Sequence, residues 1–544
     1  MVGAVALIAV LGIVAAATLL NYALPQTARN TKNSANSASG RHNKSSKHSA
    51  HGNCTNTYIA SKMAMSPYGL TASWVKAENN KPGTTAWQIT TPQSATGIMG
   101  YASTQQAQVG QQVTLYVSTQ APNYQIAAYR MGYYKGAGAR LIWQSKTLPG
   151  VVQPACPVSP GIFEVQCSWT PAITLKITNS WVIGSYLLKL VGSGGQQSYI
   201  PLTIWNPNIT GAYVIMEPVL TWQAFNLFGG YDLYAGGPPG LSGYPPPDRS
   251  RVLSFDRPYA YGNGTADFLT NEYPLIRYME KHGLDVTYWT DITLAVHGNL
   301  LLGQKALLSL GHDEEWSLRM RNAVVAARAA GVNLMFFGAS PILRKVRLEP
   351  SPIGPNMTEV NYRDPQADPL YGVDDAEVTQ NWWGQPPANE PASTIVGSSY
   401  IGFNNSTSAN MVVVDPTSWV FNGTGLKQGS QIPGVLLTDF NAYIPSRPNP
   451  PDVQILTHSP VTIGFSNRAT YADTTYYTWG PSGAGIFESG TNLWIASLQA
   501  CSSSQPNCAS PVLRKITSNL LVAFGQGPAG KDHPSVTNWQ QFYP

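Results

Sequence analysis

At 544 residues the chain is too long for one ordinary domain, so two to four folded units with ample core are expected. Charged residues make up only 11% while Gly, Pro, Tyr and Trp number 50, 42, 28 and 15, which argues against a helical bundle and for strands joined by long structured loops. The net charge of +5 belongs to Arg29, Lys32, Arg41, Lys44 and Lys47; with those five set aside, the 33 basic residues fall to 28 against 28 acidic ones. A body balanced in this way lacks the broad positive field that nucleic-acid phosphates require, and nucleic acid is excluded as the main partner.

Residues 2–20 are uncharged and apolar, close to the ~20 residues a helix needs to cross a bilayer. Residues 1–28 therefore read as a signal peptide or signal anchor. The expected location is the cell membrane with the body outside the cytoplasm, or secretion if the segment is cleaved. Residues 29–55, rich in Ser, Asn, Lys and His, are too polar to bury a core and read as a disordered stalk. Two close cysteine pairs, Cys156/Cys167 and Cys501/Cys508, have the spacing and flanks of disulfides that close surface loops, which also favours an oxidising compartment.

Residues 56–208 carry short alternating stretches such as Val113–Val117 and Tyr186–Leu190 between turn clusters, the pattern of an antiparallel β-sandwich. Within it, Tyr129–Tyr134 offers aromatic faces for a sugar, although packing along a strand is the preferred reading. From 209 to 530 the pattern becomes strand, loop, helix, strand. Ala212–Glu217, Asp285–Thr290, Lys305–Leu310 and Val332–Phe337 are expected to be buried strands of a parallel sheet. Glu272–His282, Trp316–Ala330 and Pro511–Phe524 are the helices, with Val324, Val325 and Ala329 facing inward from the second. Residues 531–544 form a tail.

Open parallel sheets place ligand sites beyond the carboxyl ends of their strands. The segment Gly311-His312-Asp313-Glu314-Glu315-Trp316 follows the expected strand Lys305–Leu310 and puts an imidazole and three carboxylates there. An acidic helix cap is the simpler explanation. His312 and Glu314, two residues apart on a loop, are also able to address one metal or one substrate. The chain has no G-x-S-x-G elbow, no H-E-x-x-H helix and no P-loop.

Several motifs in order resemble the N,N-dimethylformamidase large (beta) subunit family: Gly100-Tyr101, Tyr129–Tyr134, Cys167-Ser168-Trp169, Thr221–Asn226, Ser254–Pro258, Gly311–Glu314 and Phe337-Gly338-Ala339. That resemblance implies a β-sandwich followed by a Rossmann-like domain similar to class I glutamine amidotransferases. It further implies hydrolysis of an amide by a ferric ion (Fe3+) held by two tyrosines and a glutamate. It puts Glu314 on the iron-binding glutamate, His312 on the active-site histidine and Asp439 on a later catalytic glutamate, with Tyr234 and Tyr259 as the candidate tyrosines. Phe225, Glu315 and Ser340 replace residues usual in the family. The expected function is amide or other C–N bond hydrolysis on a small-molecule, glycan or peptide substrate. The alternative is a non-catalytic surface-binding protein on the same fold.

Overall fold

The computed structural model describes residues 61–90, 97–236, 248–464, 466–501 and 508–544. It is a mixed α/β protein containing several sheets. The expected signal segment and stalk lie outside the described residues. Among the described residues no helix is long and apolar enough to cross a membrane. The expectation of a membrane-anchored body is corrected accordingly: an apolar run in the sequence is not by itself a spanning helix, and no anchor is supported.

The first part of the chain builds two antiparallel sheets. One joins Ile98–Ala102, Gln112–Thr119 and Ile173–Lys176; the other centres on Asn123–Met131, Gly184–Gly192 and Gln197–Ile204. Alternate residues of both, such as Val113, Leu115, Ile126, Leu188 and Ile200, share one apolar cluster. The opposite face of the larger sheet presents Tyr129, Met131, Leu187 and Tyr199 to a second, larger cluster that also contains the core of the rest of the chain. Tyr129, Met131 and Tyr134 are buried, so most of the Tyr129–Tyr134 stretch is packing. Disulfides join Cys156 to Cys167 and Cys501 to Cys508.

The central sheet has seven strands, numbered here in chain order: β1 Tyr213–Glu217, β2 Val286–Thr290, β3 Ala306–Leu310, β4 Asn333–Phe337, β5 Gln454–Ile463, β6 Arg468–Trp479 and β7 Ala484–Glu488. Their order across the sheet is β2-β1-β3-β4-β7-β6-β5. The pairs from β2 through β7 are parallel, and β7-β6-β5 continue antiparallel. Every residue of β1, β2, β3, β4 and β7 is buried, as expected for strands covered on both faces. The chain leaves β1 toward β2 on one side and β3 on the other. The crevice between the carboxyl ends of β1 and β3 is thus where such a sheet places a ligand.

Two local expectations are corrected. The helix expected from Trp316 starts at Leu318, because Glu315–Ser317 instead forms a short strand parallel to Arg344–Val346. Only then does Ser317 cap the helix, accepting the N–H of Met320. On that helix Val324 is buried, but Val325 and Ala329 face outward. The buried stripe is Met320, Val324 and Ala327, shouldered by Arg321 and Arg328, whose guanidinium groups lie over Trp383 at 5.1 Å and Trp479 at 3.9 Å. Residues 531–544 pack back onto the body: the Tyr543 hydroxyl donates to Asp473 of β6 at 2.7 Å, and Trp539 stacks on Tyr443, just after the strand Gln431–Ala442.

Candidate active site

Strand β3 ends at Gly311, whose φ of 54° lies in the left-handed region and whose missing Cβ would stand 2.6 Å from the Asn271 side chain. A Cβ on Gly338, after β4, would collide with the Gly311 carbonyl. Glycine at both positions lets the two strand ends close together and turns the chain so that His312 and Glu314 face the crevice. The loop is fixed from the β1 side, where Thr221, on the short helix Val219–Ala224, accepts the Glu314 N–H at 2.9 Å.

There the His312 Nε2 atom lies 3.1 Å from Glu314 Oε1 and 3.4 Å from Asp439 Oδ2. Asp439 arrives from Gln431–Ala442, a long strand outside the central sheet. One ligand atom each from His312, Glu314 and Asp439 lie within 4.8 Å of one another. The second Glu314 oxygen accepts from the Tyr234 hydroxyl and lies 3.6 Å from Arg344 Nε. The Tyr234 hydroxyl also reaches Glu315 at 2.9 Å. Ser340 is placed to donate to Asp439 at 2.9 Å or Glu314 at 3.2 Å, and Asn492 donates to Asp439 at 3.3 Å.

The electrostatics follow from this crowding. Burial alone would lower the His312 pKa, but Asp439 and Glu314 outweigh it and hold the ring well above its ordinary value. Burial would raise Glu314, yet His312, Arg344 and Tyr234 keep it below the usual carboxylate range. Burial and the neighbouring Glu314 raise Glu315, and burial raises Asp439 and Tyr234. Neighbouring carboxyls are thus pushed in opposite directions, a common arrangement at sites that move protons.

The backbone around the cluster is strained as well. Ser340, Ile342 and Thr438 have φ of 58°, 57° and 61°, a region that non-glycine residues seldom enter and that the β-branched Ile342 and Thr438 enter most rarely. Such outliers persist where surrounding structure over-determines them, most often at functional sites.

The residues expected from sequence do not all meet. His312, Glu314, Asp439 and Tyr234 converge. Tyr259 does not join them: its hydroxyl donates to Gln105 at 3.3 Å and its ring stands edge-on to Trp222. Phe225 stacks on Tyr234 with ring centroids 4.1 Å apart and lies 4.7 Å from the His312 ring, so an apolar ring occupies this side of the cluster. A pair of phenolate donors beside Glu314 is therefore not assembled by Tyr234 and Tyr259. The donors that do converge, one imidazole and two carboxylates, suit a metal ion. The His312 Nε2 atom is buried and makes no hydrogen bond of good geometry despite its two close carboxylates, which fits a nitrogen shaped to ligate. Arg344 is an addition to the sequence reading, and nothing in its spacing marks it; Ser340, noted in the sequence only as a departure from the family, proves to bond Asp439 and Glu314.

A mostly parallel sheet with a histidine–carboxylate cluster at the carboxyl ends of its strands defines the class: a mixed α/β protein with a candidate site at the strand switch. The chain belongs to the N,N-dimethylformamidase beta subunit-like family, whose C-terminal model matches residues 125–509. No curated protein matches the chain.

Proposed function

We propose that the protein hydrolyses an amide or related C–N bond at the His312/Glu314/Asp439 cluster with the help of a bound metal ion. The observation that carries this reading is the convergence of three donor atoms within 4.8 Å in the crevice between β1 and β3. Membership of the family supports the hydrolase class. The reading of the architecture as a β-sandwich followed by a Rossmann-like domain is supported by the shared core of the two N-terminal sheets and by the order β2-β1-β3-β4.

When bound, a metal would supply Lewis acidity to the amide carbonyl and lower the pKa of a coordinated water. His312, Glu314 and Asp439 would hold it. Glu315, raised toward the proton-carrying range, is the nearby carboxyl able to keep a proton and deliver it to the departing amine. Tyr234 and Arg344 offer an O–H and a guanidinium beside Glu314, where negative charge would gather. Phe225, stacked on Tyr234 and beside His312, gives that flank of the cluster an apolar wall.

The test is elemental analysis of the purified chain together with turnover of an amide panel containing formamide, N,N-dimethylformamide and N-acyl amino acids. Near-stoichiometric metal, lost with turnover in Asp439→Asn, is expected. Neither metal above trace nor turnover of any member would sink the proposal. A second reading, a binding protein on the same fold, is favoured by Phe225 standing beside the cluster without a donor atom; metal retention without turnover would select it.

A further inference from the structure

A cavity of about 800 Å³ lies beside the cluster, lined in part by Arg249, Arg363, Asn381 and Tyr362. Its volume falls within the roughly 300–1,000 Å³ typical of small-molecule sites. Two contacts join it to the candidate active site. Asn381 accepts hydrogen bonds from Arg344, which flanks Glu314. Arg363 holds its guanidinium 4.4 Å from the centre of the Tyr234 ring, whose hydroxyl meets Glu314. One tyrosine side chain thus separates the cavity's cation from the cluster.

Arg249 and Arg363 form no ion pair among the described residues. Arg249 is buried and spends its donors on backbone carbonyls, those of Ser250, Asn361 and Tyr362 at 2.9, 3.2 and 2.6 Å. Arg363 has two buried nitrogens, Nε and Nη2, with no hydrogen-bond partner. Of the acids nearby, Asp232 feels Arg363 only at longer range, and each spends an oxygen on backbone N–H groups. Asp232 accepts the N–H groups of Tyr234 and Ala235, Asp364 that of Gln366, and Asp375 that of Gly372.

Arg363 is also held at φ 60°, with its N–H bound to Asn361 at 2.8 Å, so the backbone spends strain to place this side chain. The excess positive charge is felt locally: burial first, then Arg363, Arg251 and Arg344, push the Arg249 pKa down to about 9. Leaving buried guanidinium donors unpaired is costly, and a ligand carboxylate relieves the cost through a two-pronged charge-assisted contact.

We propose that the substrate of this site is an amide bearing a carboxylate, received by Arg363 and Arg249 so that its amide bond lies across Tyr234 at the His312/Glu314/Asp439 cluster. The substrate class rests on the hydrolase reading above. The anion receptor rests on the arginines alone.

The full-length protein is titrated calorimetrically with N-formylglycine and N-acetylglutamate and with their methyl esters, and turnover of the same compounds is followed by amine release. The free acids are expected to bind at least ten-fold more tightly than the esters, and this ratio should collapse toward one in Arg363→Gln while Arg363→Lys keeps part of it. Equal binding of acids and esters, no binding of any acid at millimolar concentration, or an unchanged ratio in a folded Arg363→Gln overturns the anion receptor. Should Arg363→Gln not fold, Arg249→Lys, expected to lower the ratio by removing the fork, decides in its place. Acid-selective binding with no turnover of any compound would leave the receptor standing and overturn the hydrolase reading.

Discussion

Two buried charged clusters in this molecule use similar residues to different ends. One joins the N-terminal sheets to the helix Tyr273–Lys281: Arg130 and Glu280 form a fully buried pair. Glu280 also accepts from Tyr288 at 2.6 Å and Asn79 at 2.9 Å. Arg130 bonds the Ile183 carbonyl and Tyr134, which passes the chain to Glu78 and Arg140. No side-chain atom of these residues is left buried without a partner. The other cluster, around Glu314, crowds carboxylates against one another and keeps His312 Nε2 without a well-formed hydrogen bond. A charge network that is complete holds parts together, whereas one that is incomplete has room for a ligand.

The comparison is broken most forcefully at its first member. Arg130→Ala should destabilise the fold by about 3–5 kcal/mol, since it leaves Glu280 buried and unpaired. Chemical denaturation read by tryptophan fluorescence checks this, and a loss under about 1 kcal/mol would contradict the structural role. The second member should respond in reverse. Glu314→Gln relieves Glu315 and Asp439 of a like charge while taking a partner from His312 and Arg344, so the effects offset and stability should change by less than about 1 kcal/mol while turnover falls roughly 1,000-fold. A large loss of stability there would mean that the two clusters do the same job.

A smaller effect concerns Glu217, at the end of β1. Burial raises its carboxyl to about 7 against the hydrogen bonds of Ser185 and Thr203. A carboxyl whose pKa is higher in the folded state binds its proton more tightly there, so stability falls as pH rises from about 4.5 to about 7 and stays lower above it. The contribution is on the order of 3 kcal/mol. Glu217→Gln should flatten this part of the profile in melts taken from pH 5 to pH 8. The smallest effect is expected at Thr438, whose φ is 61°. Thr438→Gly should stabilise by up to about 1 kcal/mol while loosening Asp439 and lowering turnover a few-fold.

The central strands were legible because β1 to β4 are buried on both faces and read as mostly apolar runs. The loop Gly311–Trp316 stood out because polar residues followed such a run directly. The strand Glu315–Ser317 was not legible, since its pairing with Arg344–Val346 is made across the fold while its own sequence favours a helix start. Asp439 was reachable only through resemblance, because it enters from a strand outside the central sheet. Tyr234 and Tyr259 were indistinguishable in sequence; which of them meets Glu314 depends on how the loop after Phe225 folds back. Arg344 and Arg363 gave no signal, as their meaning comes from what they face.

Phe225 has a consequence for what a spectrophotometer would record. A phenylalanine contributes no oxygen, and the Tyr234 hydroxyl is spent on Glu314 and Glu315. No pair of phenolates is then on hand to lend a bound ferric ion a visible charge-transfer band. The iron-loaded protein should therefore absorb more weakly in the visible than a centre built on two tyrosinates, a difference that an absorption spectrum of a concentrated sample would record.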